Sequence, residues 1–522
     1  VSLIKGFLRR LFERVEDGFD LAFAAQWNPL RQLGAMGWFF YWIVAASGIY
    51  LYIFFDTGLT RAYESIEWIM NNQLYVGLVM RSLHRYASDA LVVVVALHLL
   101  REFSLDRIRG NRWFAWFTGI PLLWFLYACG ISGYWLVWDV LAQYIAIATT
   151  EWLDTLPFFG ESIAGNFLNS GALSARFFTL MAFIHIAVPL IMLFLMWVHI
   201  QRYSRPKMNP PRSLAAGTLV ALVVLSLVFP AVSQAPANLD TVPAVIGFDW
   251  FYLLLYPLLD VVPGGQLWLG LAVATIILAL VPWLPPLRKA AVAVVDLDNC
   301  NGCGRCAEDC PFDAISMGPR TDGAAYDAEP VVNAANCVSC GICAGACPTA
   351  TPHRRATALA PGIELPGDPI AALRDRTRAT GQALTGAQRV LVFGCEQART
   401  TRGLAEPGVG VIVLPCVGML PPAFIDWVLA RDLADGVLVS GCAAGDCYQR
   451  LGDEWTRQRL ARQRDPYLRA RVPEERIGLC WAGSGDTSRP RQALQALRDR
   501  LPTAPPVRRR AERANTGEDR VG

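Results

Sequence analysis

Residues 84–98 read HRYASDALVVVVALH. Two histidines bracket a stretch fit for lipid, with one acid, Asp89, and four consecutive valines between them. The chain holds five histidines, and four fall in apolar runs: His84 and His98 in one, His185 and His199 in another. Both pairs are fourteen residues apart. At about 100° per residue, a helix returns to within roughly 40° of its starting face after such an interval and rises about 21 Å. Each helix therefore presents two imidazoles on one face, near opposite sides of a bilayer.

Composition separates this region from the rest. Of 522 residues, 54% are apolar and 17% charged, which is too greasy for an ordinary soluble protein. Residues 1–290 hold most of the tryptophan and the long apolar runs. Residues 291–522 hold thirteen of the fourteen cysteines. The expectation is a membrane domain followed by soluble ones. The net charge of +3 excludes nothing about partners, and no element calls for nucleic acid. The N-terminus is basic and amphipathic, lacks a small-residue cleavage site, and is expected on the membrane surface.

Six segments approach the twenty or so apolar residues that a spanning helix needs: 33–55, 76–100, 114–138, 177–200, 214–232 and 265–284. Lys5, Arg9, Arg10 and Arg14 precede the first. Arg101, Arg107, Arg109 and Arg112 follow the second, Arg202, Arg205, Lys207 and Arg212 the fourth, and Arg288 and Lys289 the sixth. The alternate loops carry acids instead: Asp56, Glu64 and Glu67; Glu151, Asp154 and Glu161; Asp240 and Asp249. The positive-inside rule then puts both termini in the cytoplasm of a prokaryotic inner membrane.

With that topology the second and fourth spans run in the same direction. His84 meets His185 at the outer level and His98 meets His199 at the inner level. Two haems stacked across the membrane, each held by two axial imidazoles, suit this geometry. A di-metal site would need carboxylates at those depths, which are missing. Gly34 and Gly48 in the first span, and Gly119 and Gly133 in the third, repeat the fourteen-residue interval. Glycine lets backbone approach a flat macrocycle closely.

On the motifs RSLHRYASDALVVVVALH, GYWLVWD, LPFFGES and FDWFYL, residues 28–285 resemble cytochrome b of cytochrome bc complexes. The resemblance implies His84 and His185 for a low-potential outer haem b, His98 and His199 for the inner haem b, and Arg81 beside a propionate. It also implies an outer quinone pocket, built in that family from Gly-Tyr-x-Leu-Pro-Trp and Pro-Glu-Trp-Tyr. Here the first motif reads Gly133-Tyr134-Trp135-Leu136-Val137-Trp138, with valine for proline. The second reads Phe248-Asp249-Trp250-Phe251, with aspartate for glutamate. Tyr134, Trp138 and Asp249 are the quinone-site candidates, and Asp249 keeps a carboxylate able to take a quinol proton. A solvated loop acid is the plainer alternative. The inner quinone site of the family is not carried over, because Ser204 and Ser213 stand at its usual positions.

Residues 291–350 contain CNGCGRCAEDCP and CVSCGICAGACP, each C-x2-C-x2-C-x3-C-P. In this arrangement the fourth cysteine of each run serves the other cluster. Cys300, Cys303, Cys306 and Cys347 are then expected to hold one [4Fe–4S] cluster, and Cys337, Cys340, Cys343 and Cys310 the other. Zinc sites seldom use this spacing, and a reducing cytoplasm disfavours disulfides. The region resembles bacterial two-cluster ferredoxins.

Residues 351–387 read as a linker. After them RVLVFG, GVIVLP, GVLVSG and RIGLC alternate with helical patterns, as in a small α/β domain with a parallel sheet over 388–500. Cys395, Cys416 and Cys442 follow three of these strands, with Cys447 close behind. Such strands gather their carboxyl ends at one edge, and four thiols there suit a [2Fe–2S] cluster. Buried or zinc-bound cysteine is the alternative. GVLVSGCAAGDC resembles the delta subunit of methyl-viologen-reducing hydrogenase, which implies a partner like heterodisulfide reductase. That family's first motif has paired cysteines; here Ala398 stands where the second would fall. Cys480 is a fifth thiol at a strand end and is left out of the ligand set, Cys129 is read as packing, and residues 501–522 as a disordered tail.

The expected architecture is multi-domain: an all-α transmembrane bundle over 1–290, a ferredoxin-type α+β domain and a small parallel-sheet domain. The expected function is an electron-transfer subunit between the quinone pool and a cytosolic flavin/iron–sulfur oxidoreductase, either heterodisulfide reductase-like or a dehydrogenase or hydrogenase. No dinucleotide fingerprint occurs, so flavin chemistry falls to that partner within a homo- or hetero-oligomer. The alternative is a haem-containing anchor and relay without quinone chemistry, linked to an extracytoplasmic redox protein.

Overall fold

The computed structural model describes residues 2–505 apart from 25–26, 59–60, 159–161, 164, 166–174, 202, 204, 285–290, 355–358 and 484–485. The tail read as disordered lies, from 506 on, outside the described residues, as do Arg202, Ser204, Arg288 and Lys289. The chain forms two compact units, residues 1–12 with 27–287 and residues 13–26 with 288–522.

The first unit is helical. It contains α1 (Ser2–Phe23, shared between the units), α2 (Leu33–Phe54), α3 (Arg61–Asn72), α4 (Leu74–Ser104), α5 (Trp113–Val137), α6 (Val140–Asp154), α7 (Ala175–Ile200), α8 (Arg212–Val228) and α9 (Gly264–Leu280). Five helical stretches among the described residues are long and apolar enough to cross a membrane: 29–54, 74–104, 110–137, 178–200 and 264–283. Their outward faces carry large exposed apolar side chains, such as Leu190, Phe194 and Trp197 on α7, which water would not tolerate but lipid does. This is a multi-pass membrane protein.

The expected span at 214–232 is shorter than the other five. Helix α8 ends at Val228, with Phe229 in a non-helical conformation. Pro230 follows, and a residue before proline is pushed out of the α region. Seventeen residues rise about 26 Å, short of the roughly 30 Å hydrocarbon core.

Helix α2 packs along α4, and α5 along α7. The bundle core joins Phe40, Leu83, Ala87, Leu91, Leu126, Trp135, Phe178 and Met192. Helix α5 ends where Trp138 turns left-handed (φ 54°), and α6 begins with Asp139 accepting a hydrogen bond from the Ala142 N–H at 2.9 Å. The other oxygen of Asp139 accepts from the Gln234 N–H at 2.9 Å. Gln143 reaches the Asn238 and Thr241 carbonyls at 2.9 Å each. These bonds fold the long segment after α8 back over the bundle and so position Asp249.

The second unit opens with a ferredoxin-like region: β1 (Val294–Val295), α10 (Arg305–Glu308), β2 (Ile315–Pro319), β3 (Ala328–Val332), α11 (Ile342–Ala346) and β4 (Ile363–Glu364). β2 and β3 pair antiparallel with Ile315 opposite Val332, and β1 pairs antiparallel with β4. The stretch read as a linker is therefore built into the structure. It supplies β4 and then α12 (Ile370–Gln382), whose Ile370, Leu373 and Thr377 are buried. Its Pro, Gly and Ala content hid a strand of only two residues.

The parallel sheet is as expected. β5 (Val390–Cys395), β6 (Val409–Leu414), β7 (Gly436–Gly441) and β8 (Ile477–Trp481) lie in the order β6-β5-β7-β8, all parallel. β5 and β7 are buried along their whole length, which explains their unbroken apolar runs. Helices α13 (Pro422–Ala430), α14 (Gly452–Leu460) and α15 (Ser488–Arg500) complete the region.

Candidate functional site

Imidazoles come first. The rings of His84 on α4 and His185 on α7 face each other with centroids 6.2 Å apart and planes at 64°. Two metal–imidazole bonds of about 2 Å, with each ring centre roughly 1 Å beyond its nitrogen, give about 6 Å. The centroid spacing matches that of two imidazoles sharing one metal ion.

The Nδ1 atoms point the other way. His84 Nδ1–H donates to the Val44 carbonyl at 3.0 Å, with Ser47 Oγ at 3.2 Å. His185 Nδ1–H donates to the Cys129 carbonyl at 3.0 Å, with Ser132 Oγ at 3.2 Å. His199 has Thr118 Oγ1 at 3.1 Å and the Ala115 carbonyl as partner. A donor bond from Nδ1 fixes the tautomer that leaves Nε2 free for a metal.

Each glycine of the fourteen-residue series stands against one of these rings. A Cβ on Gly48 would lie 2.9 Å from His84 Cε1, and one on Gly133 would lie 2.8 Å from His185 Cε1. On Gly119 it would lie 3.3 Å from His199 Cε1, and on Gly34 it would lie 3.5 Å from His98 Cε1. So the glycines make room for the imidazoles themselves. Their bare α-carbons also uncover the carbonyl one turn back, which is the one the histidine uses in three of the four cases. The residue before each of those three glycines is Ser47, Thr118 or Ser132, the hydroxyl partner. This Ser/Thr-Gly dipeptide is a sequence signal that periodicity alone overlooks.

Arg81 is buried, donates to Ser233 Oγ at 2.8 Å and lies 3.6 Å from Glu67. Its Nη1 has no hydrogen-bond acceptor among the described residues. That Nη1 is the atom facing Glu67, so a propionate bound there would share Arg81 with a carboxylate. Cys129, read as packing, sits with Sγ 3.8 Å from His185 Nδ1.

Next to His84, Arg85 draws a polar cluster together. Its guanidinium donates to the Tyr134 hydroxyl and to Asp249 Oδ2, and lies 4.7 Å from the centre of the Tyr134 ring. Its Nε is 3.2 Å from Asp89, one turn along α4. The Phe251 N–H donates to Asp249 Oδ1 at 2.7 Å. Asp249 is buried, which corrects the solvated-loop alternative: an arginine offsets its charge away from water. The structure thus joins Tyr134 and Asp249 through Arg85, while Trp138 is buried against Phe178. Sequence reasoning missed Arg85, Asp89, Ser88 and Tyr252. Ser88 Oγ and the Tyr252 hydroxyl are 2.6 Å apart, and Asp89 Oδ1 has no hydrogen-bond donor among the described residues. The available signal was two charges four residues apart inside an apolar span.

In the second unit, Cys300, Cys303, Cys306 and Cys347 line one pocket, and Cys310, Cys337, Cys340 and Cys343 line another. Gly302 and Ser339, at matching places in the two runs, are both left-handed (φ 65° and 57°), and so are Gly304 and Gly341 (φ 73° and 75°). These turns wrap backbone around each site. The Gly302 and Ala314 N–H groups reach Cys300 and Cys310 Sγ at 3.4 and 3.3 Å. Burial, then the crowding of Cys347, Cys303 and Cys300, pushes the Cys306 thiol up to about 12. Bound iron would invert that balance, so these residues suit thiolate ligation.

At the sheet edge, Cys395 closes β5, Cys416 follows β6 and Cys442 follows β7, with Cys447 five residues on. Cys395 Sγ is 3.8 Å from Cys442 Sγ, Cys395 also contacts Cys416, and Cys447 contacts Cys416 and Cys442. All four are buried. A Cβ on Gly452 would lie 2.2 Å from Cys416 Sγ, so only glycine fits there. Cys480 packs instead in the sheet core with Leu438 and Leu494. Among the described residues, no three such side chains close around a single metal ion. A polynuclear cluster spreads its thiolates over several irons and needs a wider ring.

Paired histidines in an apolar bundle, tandem four-cysteine runs and a thiol ring define a membrane electron-transfer subunit of the respiratory kind. Comparison with known proteins agrees. Residues 20–204 match the family Cytochrome b/b6/petB, residues 299–351 the 4Fe-4S dicluster domain, and residues 391–503 the methyl-viologen-reducing hydrogenase delta subunit. The chain therefore joins a cytochrome b/b6 domain, a dicluster ferredoxin domain and a hydrogenase delta-subunit domain. Cytochrome b of Acanthamoeba castellanii is 24% identical over 291 residues, 49% of this chain and 73% of the relative. Cytochrome b of Rhodospirillum rubrum is 26% identical over 276 residues, 46% of this chain and 66% of the relative. Cytochrome b6 of Porphyra purpurea is 27% identical over 189 residues, 35% of this chain and 86% of the relative. A solved chain titled "Hyperthermophilic respiratory Complex III" superposes with a TM-score of 0.40 at 20% identity, covering 49% of this chain and 76% of that one.

Proposed function

We propose that this protein is the quinone-reactive membrane subunit of a larger oxidoreductase, relaying electrons between the quinone pool and a cytosolic flavin/iron–sulfur partner. Haem b at His84/His185 and His98/His199, the two [4Fe–4S] sites and a [2Fe–2S] site at Cys395, Cys416, Cys442 and Cys447 supply one-electron chemistry when bound. The chain's own residues do the rest. His84 and His185 would hold and orient the outer haem, Arg81 would neutralise a propionate, and Arg85 pairs with Asp249, the carboxylate proposed to take a quinol proton. The arginine-rich loops support a cytoplasmic face for the iron–sulfur unit in a prokaryotic inner membrane. The heterodisulfide reductase-like partner is proposed on the hydrogenase delta-subunit match. With the quinone site on the outer face, each electron crosses the bilayer with or against about 2.3 kcal/mol per 100 mV.

The observation that carries this reading is the buried Asp249–Arg85–Tyr134 cluster beside the His84 ligand. A relay without quinone chemistry draws on one observation too: both Asp249 oxygens are already engaged. Quinol reduction separates the two. The oxidised protein is mixed with a menaquinol or ubiquinol analogue and the b-haem α-band is followed. Asp249→Asn is expected to slow reduction about 100-fold, at the low end of general-base effects. Haem that dithionite reduces and neither quinol does would sink the quinone reading in favour of the relay.

A further inference from the structure

The second unit carries three groups of four cysteines, and its contacts set an order among them. Cys340 of the second ferredoxin site shares one apolar cluster with Cys416 and Cys447 of the sheet-edge site, together with Ile342, Leu451 and Trp455. Ile342 is fully buried. Its Cδ1 lies 3.5 Å, and Cys416 Sγ 2.2 Å, from the place where a Cβ on Gly452 would sit. Its Cγ1 lies 3.0 Å from the corresponding place on Gly418. One isoleucine, packed on two glycines, thus separates the backbone of α11 from the sulfur of Cys416.

The loop bearing Cys310, the fourth cysteine of that pocket, is held from the same side. Arg459 donates to Asp309 and, at 2.8 Å, to the Gly418 carbonyl. Arg464 adds bonds to Asp309 and stacks 3.7 Å over Trp455. Arg450 donates to the Pro311 carbonyl at 2.6 Å. Arg459 is 1% exposed, so its pairing with Asp309 is a committed contact, since breaking such a pair strands a buried charge. It ties the residue before Cys310 to the residue two after Cys416. The helix that carries Cys306 of the first ferredoxin site meets the sheet domain through the part-exposed Arg305–Asp465 and Arg464–Glu308 pairs, a type worth little. Cys303 of that site is exposed.

We infer that the Cys310/Cys337/Cys340/Cys343 site, and not the Cys300/Cys303/Cys306/Cys347 site, exchanges electrons directly with the sheet-edge thiol site, and that Arg459 is the positioning residue of that junction. The inference rests on reading both sites as iron–sulfur clusters. One electron leaves the reduced site and enters the oxidised one, no proton moves, and the charge of the pair is unchanged. The exposed Cys303 edge is then the end open to an external redox partner.

Electron paramagnetic resonance of the full-length, dithionite-reduced protein tests this. Spin–spin splitting of the sheet-edge signal is expected, lost in Cys340→Ala and kept in Cys303→Ala. The reverse pattern, or splitting indifferent to both, overturns the inference but leaves the clusters standing. Iron content with no sheet-edge signal in the wild type overturns the cluster reading and the inference together. Arg459→Met guards against variants that merely lose a cluster. With iron retained, it should weaken the splitting and lower the reduced-to-oxidised ratio of the sheet-edge site about tenfold at a fixed potential, because a buried positive charge is gone. Unchanged splitting and titration in that variant, with only a lower melting temperature, reduces Arg459 to a structural residue.

Discussion

The two imidazole levels of the bundle share a plan and differ in tightness. At the His84–His185 level both glycines leave less room than a methyl needs, 2.9 and 2.8 Å, and both rings have a carbonyl and a serine behind them. At the His98–His199 level the clearances are 3.5 and 3.3 Å. There only His199 has the hydroxyl-glycine pair, because Leu33 precedes Gly34. The difference teaches that a fourteen-residue repeat specifies where the imidazoles stand, while neighbouring residues specify how firmly each ring is held.

Removing a ligand should have the largest effect. His84→Ala or His185→Ala is expected to cost one haem of two, seen as a halved haem content, with the other level retained. Both haems surviving would break the assignment of levels. Glycine substitutions sharpen the comparison. Gly48→Ala and Gly133→Ala force overpacking of about 1–3 kcal/mol and should weaken haem retention at their level roughly tenfold or more. Gly34→Ala meets only ordinary contact and should leave haem content near wild type. Equal losses at both levels would mean that the macrocycle, and not the ring clearance, sets the need for glycine. The smallest effect is expected from the hydroxyls. Ser132→Ala removes a hydrogen bond worth about 0.5–1.5 kcal/mol, but the Cys129 carbonyl still orients His185. A redox titration should show its own haem shifted slightly and the other unmoved.

Most of the placement of the histidines and ferredoxin cysteines was legible before the fold. Helix period turns an interval of fourteen residues into a shared face, and C-x2-C-x2-C-x3-C-P turns spacing into two pockets. The quinone candidates were half legible. Asp249 and Tyr134 were named from motif positions, but the residue that joins them, Arg85, stood unremarked beside His84. Its partners come from α5 and from the loop after α8, more than forty residues away in either case. Residues 351–387 were misread because a two-residue strand and a mostly polar helix carry little apolar signal, although tertiary packing buries Ile363 and Leu373.

The sequence by itself determined the division into a greasy and a cysteine-rich half, the imidazole faces and the two ferredoxin runs. All are local: they follow from composition, helical pitch or spacing within a dozen or so residues. Only the tertiary structure decided that each glycine faces a particular ring, that Asp249 is paired and dry, and that Ile342 and Arg459 join one ferredoxin pocket to the sheet edge. Those contacts link residues tens to more than a hundred positions apart, where chain order carries no distance information and packing alone chooses the neighbour.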